Sequence, residues 1–168
     1  CVERIKNHGN NKIILLQCTS KYPCPIESLN LSVIPKMKSR YNLPIGFSDH
    51  STDPIIAPLV SIGLGSTVIE KHFTIDKNLS GPDHSFALTP DELKQMIDSI
   101  RNTELAYGTG KKEILQEELE TRKFAKRSLQ AITDISKGDI LELGLNFDIL
   151  RPGDRIRGLD ARFLFNIN

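Results

Sequence analysis

Two short apolar runs, 44–47 and 67–69, constrain the fold most, because each leads directly into polar residues that include a histidine. His50 follows the first run and His72 follows the second. Short apolar runs with polar boundaries are typical of buried strands. In an α/β protein, functional side chains gather where parallel strands end. The two runs therefore predict neighbouring parallel strands whose histidines share one functional edge.

The alternation of side chains along a strand predicts which residues face that edge together. Gly46, Ser48 and His50 share one side of the first strand, and Glu70 and His72 share one side of the second. Two imidazoles, a carboxylate and a hydroxyl are therefore predicted to meet in one pocket. Neutral imidazole is the commonest metal ligand, and two imidazoles leave coordination positions open for water or substrate oxygen.

The same histidines have a simpler interpretation as structural residues that are hydrogen-bonded at strand ends. A single histidine in such a position is more often structural than metal-binding. Two histidines at matching strand ends make the structural and the metal-binding interpretations about equally favoured, and the pattern alone leaves both open.

Composition argues against several classes of function. The 168 residues carry 22 basic and 21 acidic side chains, which gives no charge excess for nucleic acid or a membrane surface. No apolar run approaches the roughly 20 residues of a membrane helix, and no signal-peptide pattern is present. The three cysteines, Cys1, Cys18 and Cys24, lack metal-site or disulfide-framework spacing. We expect a reduced, cytoplasmic protein in which Cys18 packs as a small apolar residue at a strand end.

The first two thirds of the chain alternate between strand and helix patterns. Such alternation predicts a parallel sheet with right-handed crossovers. The predicted strands are 12–18, 45–48 and 67–72. The predicted helices cover 30–41, 53 to 63 or 65, and 89 to about 108. Residues 1–10 are predicted to contain the end of an earlier helix.

Helix starts are marked by capping residues. Thr89, Pro90 and Glu92 form a capping box with proline in the first turn. Asp53 and Pro54 predict a second helix start, with Asp53 as the N-cap.

The amino-acid composition of the chain changes at Gly108. Residues 108–123 are charged and carry few apolar anchors, which predicts a partly helical linker. Beyond it, short apolar runs separated by turn residues predict a small β-rich domain over 124–168, and its last apolar segment, 163–167, has nothing after it to complete the fold.

Four motifs in this order resemble the sialic acid synthase family. The motifs are Leu15-Leu-Gln-Cys-Thr-Ser-Lys-Tyr-Pro23, Gly46-Phe-Ser-Asp-His50, Glu70-Lys-His-Phe-Thr74 and Gly81-Pro-Asp83. Downstream, Ser128-Leu and Leu150-Arg-Pro-Gly153 resemble the antifreeze-like (SAF) domain of the same family.

The resemblance implies an α/β fold that is the C-terminal portion of a (β/α)8 TIM barrel, about three βα units, followed by the SAF domain. Residues 1–107 would be the barrel part, 108–123 the linker and 124–168 a partial SAF domain. The early barrel strands, which carry the family's catalytic carboxylate and phosphoenolpyruvate-binding lysines, are not in this sequence, so we expect further residues before Cys1.

The family condenses phosphoenolpyruvate with N-acetylmannosamine or a related acylamino sugar, giving a nine-carbon 2-keto acid and phosphate. A divalent cation, manganese or magnesium, polarises the sugar aldehyde. The matching positions carry the following implied roles: His50 and His72 bind the metal, Glu70 is a catalytic residue that supports the metal site, Ser48 and Ser20 contact phosphoenolpyruvate, and Tyr22 and Asp83 hold the sugar. Ser20 stands where several relatives of the family have asparagine, and its hydroxyl can still form a hydrogen bond, with a different reach.

The resemblance also implies a homodimer with exchanged SAF domains. Arg151 matches an arginine that reaches the sugar's acylamido group in the partner subunit's active site, although without the resemblance it would be interpreted as an exposed turn residue. The alternatives are a non-catalytic sugar-binding or dimerisation module and a two-histidine metal hydrolase. No third strong ligand supports the hydrolase. Since three units cannot close a barrel, we expect the isolated chain to be inactive and to associate through the open edge of its first strand.

Overall fold

The structure, a computed structural model, describes residues 1–152 and 158–162. The chain divides into two compact units, Cys1–Gly110 and Lys111–Asn168. Among the described residues, no helix combines the length and apolarity that crossing a bilayer requires.

The first unit is a three-stranded parallel sheet with helices between its strands, which confirms the predicted alternation. Strand order is β1-β2-β3, and Ser48 of β2 lies opposite both Cys18 and Glu70. β1 and β3 are each three residues shorter than predicted, and β2 is one residue longer. The elements are α1 (Val2–Asn7), β1 (Leu15–Cys18), α2 (Val33–Tyr41), β2 (Ile45–Asp49), α3 (Ile56–Gly63), β3 (Ile69–Lys71) and α4 (Pro90–Tyr107), with a 3₁₀ turn at Ile26–Ser28.

The core of this unit lies on one side of β2. Ile45 and Phe47 project from β2 into a cluster with Ile34 of α2 and Ala57 of α3, and all four are almost fully buried. Because side chains alternate along a strand, Ser48 projects to the opposite side. The core thus fixes which face of β2 is left for polar side chains.

The predicted capping box at Thr89 is confirmed. The Thr89 hydroxyl accepts from the Glu92 backbone N–H at 3.4 Å, and Glu92 Oε2 accepts from the Thr89 N–H at 2.8 Å. The ammonium of Lys77 also donates to Glu92 at 2.7 Å. This ammonium first, and the Thr89 N–H second, lower the pKa of the Glu92 carboxyl below its usual range.

The predicted start of α3 at Asp53-Pro54 is wrong by two residues. The helix begins at Ile56, and its N-cap position is Ile55, which has no side-chain acceptor. Asp53 still satisfies the helix start, because its Oδ1 accepts from the backbone N–H groups of Ile55 and Ile56 at 2.8 and 2.5 Å. The carboxylate therefore caps the helix from a position further upstream than the sequence pattern predicted.

The expectation that Cys18 packs as an apolar residue is wrong, because its side chain is exposed. Cys18 ends β1, which pairs with β2 alone among the described strands and so forms an edge of the sheet. Cys24, between two prolines, is the buried thiol of this region, and burial raises its pKa.

The second unit has a short helix and a two-stranded antiparallel sheet. A 3₁₀ turn, Gln116–Glu118, leads into α5 (Leu119–Ala125), and β4 (Ser128–Ala131) pairs with β5 (Phe147–Leu150). Ser128 and Phe147 are buried. Two predictions, the end of the Leu150–Gly153 motif and the apolar segment 163–167, lie outside the described residues.

Candidate functional site

The candidate site lies where the three parallel strands end. His50 is the first residue after β2, and His72 is the first after β3. Tyr22 belongs to the loop that follows β1. Since the carboxyl ends of parallel strands meet at one edge of a sheet, residues far apart in sequence become neighbours here.

The aromatic rings of this edge form one cluster. The ring centroids of His50 and His72 are 5.4 Å apart in an edge-to-face arrangement, and Tyr22 lies 4.1 Å from His50 and 5.9 Å from His72. Phe86, which is buried, packs 5.1 Å from His72 and completes the cluster. Phe86 was not predicted, because its apolar side chain resembles any core residue in the sequence.

A backbone carbonyl oxygen selects one tautomer of the neutral His50 ring. His50 Nδ1 lies 2.9 Å from the carbonyl oxygen of Thr19. A carbonyl oxygen can only accept, so Nδ1 carries the proton in this bond and the lone pair of a neutral ring resides on Nε2. Metal-binding histidines in proteins are commonly held in this manner, with one ring nitrogen donating to the backbone. Thr19 was not predicted, because the group involved is its backbone carbonyl.

Ser48 and Glu70 meet across β2 and β3. The Ser48 hydroxyl donates to Glu70 Oε1 at 2.6 Å, and its oxygen lies 3.5 Å from His50 Nε2. Ser48 is buried, whereas Glu70 is exposed. The Glu70 carboxylate is therefore held near His50 through Ser48 while remaining open to solvent.

Asp83 approaches His72 from the loop after β3. Its Oδ2 lies 3.8 Å from His72 Nδ1, and its side chain is 56% exposed. The loop is anchored next to Asp83, because the His84 ring contacts the buried Thr74 hydroxyl at 2.8 Å. Asp83 is thus placed at the rim of the cluster with most of its hydrogen-bonding capacity open.

Two of the residues expected in the site are not joined to this cluster by a described contact. Ser20 is exposed and lies in the same loop as Tyr22. Arg151 is exposed and belongs to the second unit, directly after β5.

A buried ion pair lies behind the site and was also not predicted. Lys71 Nζ donates to Asp49 Oδ2 at 2.7 Å, and the two side chains are only 4% and 0% exposed. Each residue directly precedes one of the histidines. The sequence does contain a signal for this pair. Residues of opposite charge directly precede the two histidines, and side-chain alternation places both charges on the face of the sheet opposite the histidines.

The donor set fits a divalent cation that takes only part of its coordination from this chain. Within the described residues, no three His, Cys, Asp or Glu side chains are grouped closely enough to hold a metal by themselves. The ring centroids of the two imidazoles are 5.4 Å apart, a separation that two ligands of one ion can span, since each metal–nitrogen bond is about 2 Å long. Oxygen atoms from water or substrate would supply the remaining ligands.

A parallel α/β sheet with a two-histidine pocket at its carboxyl edge defines an α/β protein of the kind that carries its chemistry on the strand ends. The NeuB family model matches residues 1–112, and the chain belongs to this family, the sialic acid synthase family.

Named relatives agree with this assignment. The crystal structure of the spore coat polysaccharide biosynthesis protein SpsE from Bacillus subtilis is similar to 98% of the chain, with a TM-score of 0.61 and 44% identity. The N,N'-diacetyllegionaminic acid synthase of Legionella pneumophila is 38% identical over 89% of the chain, and the pseudaminic acid synthase of Campylobacter jejuni is 44% identical over 82%. The chain spans less than half of each of these relatives: 49%, 42% and 40% of their respective lengths.

Proposed function

We propose that this chain carries the metal-binding and sugar-binding part of a nonulosonic acid synthase. The reaction would condense phosphoenolpyruvate with N-acetylmannosamine or a related acylamino sugar, giving a nine-carbon 2-keto sugar acid and phosphate. The observation that carries the proposal is the convergence of His50, His72 and Tyr22 after the ends of three parallel strands, with Asp83 approaching His72 from the loop after β3. The names of the legionaminic and pseudaminic acid synthases support the same class of product.

In this proposal His50 and His72 hold a divalent cation, manganese or magnesium. When bound, the cation supplies Lewis-acid polarisation of the sugar aldehyde. The Thr19 carbonyl keeps the His50 ring in one orientation, and its Nε2 lone pair is available for coordination. Glu70, held by Ser48, adds a negative charge beside the ligands and so favours a cation there.

The sugar would lie against the aromatic cluster. Tyr22 and Phe86 offer apolar ring surface next to His72, and aromatic rings pack well against the faces of sugar rings. Asp83 accepts hydrogen bonds from sugar hydroxyls at the rim, where its carboxylate is open. These two contacts would orient the aldehyde end toward the histidines.

Phosphoenolpyruvate is assigned to Ser48 and Ser20. The Ser48 hydroxyl has one proton to donate, and Glu70 accepts that hydrogen bond, so a ligand carboxylate or phosphate at Ser48 would compete with Glu70 for the same donor. Ser20 is exposed and therefore accessible to a ligand. This competition would couple phosphoenolpyruvate binding to the position of the Glu70 carboxylate.

The remaining parts of the proposal concern the assembly. The three βα units would be part of an eight-stranded barrel, and the second unit would be an SAF domain. Arg151 would reach the acylamido group of the sugar in a partner subunit, which makes the working form a homodimer with exchanged SAF domains. Because the chain spans about half of its relatives, we expect no turnover from the chain alone.

A chimera tests the function directly. The matching segment of the Legionella pneumophila synthase is replaced by this chain, and phosphate release from phosphoenolpyruvate is measured with that enzyme's sugar and Mn²⁺. We expect activity that is lost by more than about 100-fold in His50→Ala or His72→Ala, exceeding the loss typical for residues that only support a ligand. His8→Ala, which changes an exposed histidine in the first unit, is the matched control.

Electron paramagnetic resonance of Mn²⁺ with the unmodified chain tests the metal site alone. We expect stoichiometric binding that either histidine substitution removes. A folded chimera without activity, together with no Mn²⁺ binding by the chain, would contradict the proposal and favour a non-catalytic sugar-binding or dimerisation module.

A further inference from the structure

The buried ion pair between Asp49 and Lys71 lies on the opposite side of the sheet from the proposed metal site. The two residues are register partners in β2 and β3, where Asp49 shares a strand face with the core residue Phe47. Ser48 and Glu70, the neighbouring register pair, face the site. The ion pair therefore ties together the final residues of the two strands that carry the histidines.

Both members of the pair also hold the segment that follows β2. Asp49 Oδ1 accepts from the Ser51 N–H at 2.8 Å. Lys71 Nζ donates to the Ser51 carbonyl oxygen at 2.5 Å and lies 3.3 Å from its hydroxyl. His50 stands between two residues, Asp49 and Ser51, that are both fixed to β3 by Lys71. His72 follows Lys71 directly.

A third strand end is joined to the same segment. The Cys24 N–H donates to the His50 carbonyl oxygen at 2.8 Å, which attaches the loop carrying Tyr22. The His50 backbone is thus held on both sides and at its own carbonyl. Its side chain is held at Nδ1 by Thr19.

Packing in the sheet does not by itself require charged side chains at Asp49 and Lys71. A buried ion pair loses hydration, and replacing such a pair with apolar residues of similar volume is often neutral or stabilising. An apolar pair cannot supply directed hydrogen bonds to Ser51. The charged pair is therefore explained better by the geometry that it imposes than by stability.

We propose that Asp49 and Lys71 are positioning residues that fix the separation and orientation of His50 and His72. This inference rests on the proposed function for its metal, but its geometric content is independent of any metal. It assigns the pair no contact with substrate or cation. The pair acts on the ligands through the backbone of residues 49–51 and 71–72.

The test replaces both charges in the full chain with Asp49→Leu/Lys71→Met. Mn²⁺ affinity is measured by paramagnetic resonance, and the His50 Nδ1 proton is followed by ¹H–¹⁵N NMR without metal. We expect an affinity loss of about tenfold or more and loss of a distinct Nδ1 proton signal. The matched control is Lys94→Met/Asp98→Leu, which removes an exposed Lys–Asp pair in α4 and should change neither readout.

The two readouts separate the failures of the two proposals. A folded double variant that binds Mn²⁺ within twofold of the wild type and keeps the Nδ1 signal overturns the inference. If the wild type binds no Mn²⁺, the proposed metal site fails, and the Nδ1 signal alone decides: its loss in the variant supports the positioning role, and its retention contradicts it.

Hydrogen exchange in the wild type decides the case in which the double variant does not fold. The Ser51 amide should exchange as slowly as the Phe47 amide, which donates to the Val68 carbonyl oxygen beside the sheet. Exchange of Ser51 as fast as an exposed loop amide would overturn the inference.

Discussion

Ser48 and Glu70 lie opposite each other on adjacent parallel strands, and the Ser48 hydroxyl donates a 2.6 Å hydrogen bond to Glu70 Oε1. The bond holds the carboxylate next to Ser48, whose oxygen also lies 3.5 Å from His50 Nε2, without joining it to a permanent cationic partner in the described site. A carboxylate in this position can balance the charge of a cation held by the histidines.

Glu70→Gln tests the contribution of that charge. The amide oxygen can still accept from Ser48, so the local geometry should persist while the negative charge is removed. We expect Mn²⁺ affinity to fall by about three- to tenfold, since a nearby charge at an open site contributes on the order of 1 kcal/mol. Titration with Mn²⁺ measures the effect, and Glu113→Gln, an exposed carboxylate of the second unit, should leave affinity unchanged. Equal affinities in wild type and Glu70→Gln would exclude an electrostatic role.

Asp83→Asn separates sugar binding from metal binding. The substitution keeps the size of the side chain but replaces a charged acceptor with a neutral one, so hydrogen bonds to sugar hydroxyls weaken. In the active chimera we expect the KM for the sugar to rise about tenfold or more, with Mn²⁺ affinity changed less than threefold. Asp98→Asn, on the exposed face of α4, is the control. A two-histidine hydrolase site would instead predict that Asp83→Asn leaves sugar affinity untouched.

Glu92→Gln tests a pH-dependent part of the stability. Because Lys77 and the Thr89 N–H lower the pKa of Glu92 in the folded state, its ionisation stabilises the fold fully above the ordinary value of 4.5. That stabilisation is lost as pH falls through the lower folded-state pKa. At about pH 7 we expect Glu92→Gln to reduce the free energy of unfolding by about 0.5–1 kcal/mol, and this difference should shrink toward zero in acid.

Urea unfolding followed by far-UV circular dichroism across this pH range measures the difference. Glu104→Gln, which alters an exposed Arg101–Glu104 pair on the same helix, should show a smaller change. A Glu92→Gln difference that stays constant in acid would show that the lost interaction does not depend on ionisation.

The sequence predicted the elements whose signals are local. Apolar runs marked the strands, the Thr89–Glu92 spacing marked the start of α4, and strand parity placed Ser48 and Glu70 on facing positions. The start of α3 was misplaced because Asp53 caps from outside the usual N-cap position. Local patterns therefore located the elements but not every boundary.

The parts of the site that were missed depend on long-range pairing or on backbone atoms. Asp49 meets Lys71 only because β2 and β3 align in a particular register, which the sequence of either strand does not state. Thr19 acts through its carbonyl oxygen, a group that every residue has. Cys18 was expected to be buried, but whether a strand end is covered depends on its neighbours in the sheet.

Gly46 tests how closely β2 approaches its neighbouring chain segments. A Cβ at Gly46 would lie 2.6 Å from the Val68 carbonyl oxygen and 2.4 Å from Leu16 Cδ2. The leucine can turn aside, but the carbonyl belongs to the backbone, and it accepts the Phe47 N–H at 2.8 Å. Gly46→Ala must therefore displace β2 from the chain that leads into β3.

We expect Gly46→Ala to lower the free energy of unfolding by about 1–3 kcal/mol, the usual cost of overpacking, as measured by urea unfolding. Gly63→Ala is the matched control, because a Cβ there has no atom within 4 Å and alanine favours the helix by up to about 1 kcal/mol. Displacement of β2 would also move His50, which directly follows it, so Mn²⁺ affinity should fall in Gly46→Ala and stay unchanged in Gly63→Ala. A Gly46→Ala variant with the wild-type free energy of unfolding would mean that β2 and the Val68 backbone can separate at no cost. A rigid pair of strand ends would then not explain how the histidines are held.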